Sequence, residues 1–96
     1  MNFNLEKHLQ NDYKFDDKRI AKQLASFNNH PDLKKEYIDV VLNGWSDHIT
    51  FIEGYNAKIL HEKYHLSLLG AYNYLITLRE HPKEALELIK RGLKIK

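Results

Sequence analysis

Apolar residues in this chain recur mostly at steps of three and four, the spacing that lines one face of an α-helix. In "DDKRIAKQLASFNN", Ile20, Leu24 and Phe27 form one stripe, with Asp16 and Asp17 at the end where the helix dipole favours negative charge. That spacing predicts a helix over 17–28. A second, about 31–42, opens with Pro31 in its first turn, where the missing N–H costs nothing. It runs through Leu33, Tyr37, Val40 and Val41 to a stop at Asn43-Gly44. Ahead of both, "MNFNLEKHLQNDYKF" reads as a polar lead.

The pattern changes in "WSDHITFIEGY". Ile49, Phe51 and Ile52 are β-branched or aromatic and Gly54 ends the run, which predicts a short strand or extended linker near 49–52. Helical spacing returns at Asn56, a natural cap, with Ile59, Leu60 and Tyr64 on one side. Ser67 reads as a fresh cap for a largely apolar helix over 68–80. Pro82 starts the last helix, with Leu86, Ile89 and Leu93 at core spacing and a stop near Gly92. The His-Pro pairs at 30–31 and 81–82 are one helix-start device used twice. The expectation is an all-α fold, a small bundle of about five helices with one short strand, forming a single domain over 1–96.

Composition narrows the chemistry. The chain has 96 residues, enough for one modest core, and no cysteine, so any metal would need His and carboxylate ligands. Fifteen Lys and Arg against thirteen Asp and Glu give a formal charge of +2, which selects neither for nor against an acidic partner. No apolar run is long enough for a signal peptide or a membrane span, so the expected setting is the cytoplasm without a membrane. Neither a phosphate-cradling glycine loop nor a Ser-His-Asp arrangement is present in the sequence. Trp45 reads as a lid on the core, and Glu87 with Arg91 as i, i+4 helix support.

One stretch supports two incompatible readings. "HEKYH", residues 61–65, fits the H-E-x-x-H pattern of zinc peptidases. On a continuous helix His61 and His65 share a face and can meet one Zn²⁺, with Glu62 as general base toward a metal-bound water. A third ligand would have to come from Glu80, His81, Glu84 or Glu87, and Lys63 places a charge inside the motif.

The longer stretch "NAKILHEKYHLSLLGAYNYL", residues 56–75, resembles the helix-turn-helix motif of bacterial and phage DNA-binding proteins. Leu60, Tyr64, Leu66, Ala71 and Tyr74 stand where that motif is apolar, and Ser67 where its second helix is capped. The sequence departs from it at His61, where a small residue is usual, and at His65, where glycine is usual because the backbone enters positive φ. This reading ends a helix near His65; the zinc reading needs one that continues. The Leu66-Ser67 break favours the turn.

The resemblance implies that Ser67, Leu68, Leu69, Tyr72, Asn73 and Ile76 face DNA. Only Ser67, Asn73 and the Tyr72 hydroxyl offer hydrogen bonds to base edges. Phosphate contacts would fall to Lys58, Lys63 and Arg79, with Lys90, Arg91, Lys94 and Lys96 behind them. Leu68, Leu69, Tyr72 and Ile76 are equally suited to a core or to a protein interface. The expected function is thus a non-enzymatic binding protein without cofactor, most simply a DNA-binding or transcription-associated module. The alternatives are a protein-interaction module, such as a small inhibitory or accessory protein or a homodimer, and a zinc-dependent hydrolase through His61 and His65.

Overall fold

The computed structural model describes residues 3–92. It is all-α, with six helices and no strand among the described residues. By its contacts the chain divides into two compact units, residues 1–42 and 43–96.

The first unit holds α1 (Leu5–Asp12), α2 (Asp17–Asn28) and α3 (Pro31–Asn43, which ends at the boundary). Helix α1 lies in what reads as a polar lead. Asn4 caps it by accepting from the Lys7 N–H at 3.0 Å, and Leu5 and Leu9, four apart, are buried. Helix α2 begins at Asp16, whose carboxylate accepts from the Arg19 N–H at 2.9 Å, and packs against α1. Leu33, Tyr37 and Val40 form the buried stripe of α3, and Tyr37 stacks on Phe27 with ring centroids 5.5 Å apart. Helices α2 and α3 follow the sequence spacing to within a residue.

The second unit holds α4 (Ala57–Lys63), α5 (Leu68–Glu80) and α6 (Pro82–Lys90), with α5 packed on both of the others. The strand expected near 49–52 is absent. A single antiparallel bridge joins Ile52 to Tyr55 instead, each N–H donating to the other's carbonyl at 2.8 and 3.0 Å. Glu53 and Gly54 between them take φ of 53° and 83°, a tight two-residue turn with no partner strand to extend it. The expected Leu93, Lys94 and Lys96 contributions lie outside the described residues. No helix among the described residues is long and apolar enough to cross a membrane.

Candidate functional site

The stretch with two readings is a helix, a turn and a second helix. Asn56 caps α4 by accepting from the Ile59 N–H at 2.8 Å. The helix stops at Lys63, and Tyr64 leaves helical geometry. His65 then takes φ of 61°, the left-handed conformation that glycine usually supplies at such a turn. The Leu66 N–H reaches back to the Leu60 carbonyl at 3.3 Å, and Ser67 starts α5 by accepting from the Gly70 N–H at 3.0 Å. The end of α1 repeats this device: Tyr13 caps it, Lys14 takes φ of 59°, and the Phe15 N–H bonds the Leu9 carbonyl at 3.2 Å.

This turn removes the geometry that the zinc reading requires. His61 lies on α4 and His65 beyond its end, so the two imidazoles are not presented one helical turn apart on a common face. His61 is also committed locally, because its Nδ1–H donates to the Leu66 carbonyl at 2.6 Å and closes the turn from the side. Trp45, half-buried, lies against the same imidazole with ring centroids 6.3 Å apart. Among the described residues no three His, Asp or Glu side chains converge.

The residues nominated for DNA contact separate by exposure. Lys58, Lys63, Ser67 and Arg79 are exposed and Asn73 is half-buried, but Tyr72 is fully buried. Tyr72 therefore offers no hydroxyl to a base edge, a correction to the sequence expectation. Its ring belongs to the core, as do the side chains of Leu69 and Ile76. These three therefore present no surface to a protein partner either, and of the four nominated interface residues only Leu68 is partly accessible. The physical reason is that α5 packs against α4 and α6 and buries Leu69, Ala71, Tyr72, Leu75, Ile76 and Leu78, positions that cover about half of its circumference.

Accessible chemistry sits beside α4 instead. Tyr55 precedes the cap of α4 and Tyr64 follows its last residue. Their rings turn toward each other along the short helix and meet edge to face, centroids 6.2 Å apart. Both are half-exposed. The Lys63 ammonium stands 5.9 Å from the Tyr64 ring centroid. Desolvation, and then the hydrogen bond with Tyr64, push the Tyr55 hydroxyl above its ordinary value, while Lys63 and Lys90 pull it the other way. Burial likewise raises Tyr74, whose hydroxyl donates to the Ala85 carbonyl and ties α5 to α6.

Phe51, and Leu88 on α6, are the large apolar side chains exposed in this unit among the described residues. Phe51 is 63% exposed, next to the tight turn. Sequence spacing misses both Phe51 and the tyrosine pair, because Phe51 reads as strand and Tyr64 as a core position of the helix. The available signal was Glu53-Gly54 between Ile52 and Tyr55, a pair that fits a two-residue turn. No protein-family model, curated protein or solved structure matches this chain.

Proposed function

We propose that this chain is a non-enzymatic protein-binding module of the cytoplasm, engaging a partner chain through the second unit. The observation that carries the reading is the exposure of Phe51, next in the chain to a turn closed by the paired Ile52–Tyr55 hydrogen bonds. A large, exposed aromatic ring gains apolar burial on docking, as interface anchors do. The burial of Tyr72, Leu69 and Ile76 supports the same reading by leaving α5 few groups with which to read DNA.

A second reading, a DNA-binding or transcription-associated module, draws support from the left-handed turn at His65 and the Ser67 cap. It would rest on phosphate contacts by Lys58, Lys63 and Arg79, with base contact limited to Ser67 and Asn73.

Affinity capture of the full chain from native cells, with and without Phe51→Asp, separates the two. The expected result is a protein partner, or a second copy, lost with Phe51→Asp while the circular dichroism spectrum stays unchanged. A monomer with no protein partner that instead retards duplex DNA in a salt-dependent way overturns the first reading.

A further inference from the structure

We infer that Asp12, His8, Tyr37 and Tyr13 form a proton-operated relay in the first unit: a proton taken up by the His8 imidazole reverses the hydroxyls of Tyr37 and Tyr13 and turns the Tyr13 O–H outward. The relay does not depend on the protein-binding reading, which concerns the second unit. The His8 side chain is only 11% exposed and both of its ring nitrogens are engaged, Nδ1 by the Asp12 carboxylate and Nε2 by the Tyr37 hydroxyl, each at 2.6 Å. Tyr37 is fully buried and its hydroxyl is hydrogen-bonded to that of Tyr13, which is half-buried and reaches the surface.

The direction of each bond follows from the acidic end. An ionised carboxylate only accepts, so the proton of the neutral ring stands on Nδ1 and Nε2 keeps its lone pair. Tyr37 then donates to Nε2, which leaves its oxygen to accept from the Tyr13 O–H. When the ring takes a proton, Nε2–H becomes a donor and the Tyr37 oxygen accepts from it. The Tyr37 proton, out of contact with water, goes to the Tyr13 oxygen, and the Tyr13 proton turns to solvent. One proton enters, one positive charge appears on the ring beside the Asp12 carboxylate, and each buried donor has an acceptor in both states.

The groups packed around the chain leave the imidazole as the part that switches. On α1 the facing charge is Asp12. From α2, Arg19 is held 4.1 Å over the Phe15 ring, which packs against Tyr13, and Phe27 stacks on Tyr37. On α3, Lys34 is turned to Asn28, donating at 3.1 Å. Imidazole is the side chain whose ordinary charge change falls near neutral pH. Acidification therefore alters what the surface at the end of α1 offers: a Tyr13 oxygen that accepts before the proton is taken up, and a Tyr13 O–H that donates afterwards.

The test follows the imidazole nitrogens of His8 by NMR in the full chain labelled with ¹⁵N-histidine, between about pH 8 and about pH 5. At the upper end the proton is expected on Nδ1. At the lower end both nitrogens should carry one, with Nε2–H exchanging slowly with water because it donates to a buried oxygen. Tyr13→Phe keeps the ring and removes the acceptor of the reversed chain, so it should weaken proton uptake by His8 about tenfold. A packing role alone would lower the melting temperature of that variant and leave the titration unmoved. A proton on Nε2 at the upper end overturns the inference, as does an Nε2–H that exchanges freely at the lower end, or a ring that stays neutral throughout. These three outcomes are read in the unaltered chain and do not require Tyr13→Phe to fold. A folded Tyr13→Phe variant that takes up the proton as readily as the parent also overturns it.

Discussion

His8 Nε2 lies 2.6 Å from the hydroxyl of the fully buried Tyr37, linking α1 to α3 across the first unit. The other ring nitrogen, Nδ1, is 2.6 Å from the Asp12 carboxylate. With the Nδ1 proton donated to Asp12, the neutral ring leaves Nε2 to accept from Tyr37 O–H. Phe3, Tyr13 and Tyr37 pack around the imidazole, with centroids between 5.3 and 5.7 Å away. The two arms of this chain differ in worth, because Tyr37 is out of water and the Asp12 side chain is 64% exposed.

His8→Ala is therefore expected to destabilise the protein by about 1 kcal/mol, since it removes one hydrogen bond of a buried hydroxyl that keeps its bond with Tyr13. Asp12→Asn should change stability by less than about 0.5 kcal/mol, because the Asp12 side chain is mostly in water. Urea unfolding curves for both variants check the ranking, and equal losses would contradict it.

Tyr37 predicts the alkaline response. Burial first, and then the Tyr13 hydrogen bond, raise its pKa far above the ordinary tyrosine value. Above about pH 10 the unfolded chain loses this proton while the native state keeps it, so the unfolded state binds fewer protons and stability falls as pH rises. Below that pH the contribution is fully present. Tyr37→Phe should flatten the fall in melting temperature between neutral and strongly alkaline pH, measured against the parent over the same range.

His65→Gly tests the turn. A side chain in the left-handed region costs about 1–2 kcal/mol, of which the entropy of a more flexible unfolded glycine cancels part. The variant should be more stable than the parent by up to about 1 kcal/mol. A loss of stability would mean that the His65 side chain supports the turn. His65→Val, β-branched and poorly suited to positive φ, should be less stable than either.

Leu69 and Phe51 test the division between core and surface. Leu69→Asp places a charge in a site that is 3% exposed, and the protein should lose its cooperative thermal transition. Phe51→Ser should leave the transition within about 0.5 kcal/mol of the parent. Cooperative unfolding of the Leu69 variant would show that this face of α5 is open to solvent.

The sequence spacing was most informative where a cap and an apolar stripe agree. Pro31 with Leu33, Tyr37 and Val40 defines α3, and Ser67 marks the start of α5. Helix α1 was hidden because it is eight residues long and buries only Leu5 and Leu9, so local composition stayed polar while tertiary contacts supplied the stability. Ile49, Phe51 and Ile52 favour a strand by composition, but a strand needs a neighbour, and only Ile52 finds one. The candidate surface was obscured for a related reason. Periodicity places Leu69, Tyr72 and Ile76 on one side of α5; which sides other elements cover depends on the packing of α4 and α6, a property of the whole unit.

Helix α4 has only seven residues, too few to persist alone in water. Its lifetime depends on what grips its ends: the Asn56 side chain at one, the His61 ring at the other, and the Tyr55–Tyr64 pair bridging both. Anything that clasps those two rings also holds the helix shut, so amide protons along α4 should exchange with deuterium more slowly once a ligand is seated.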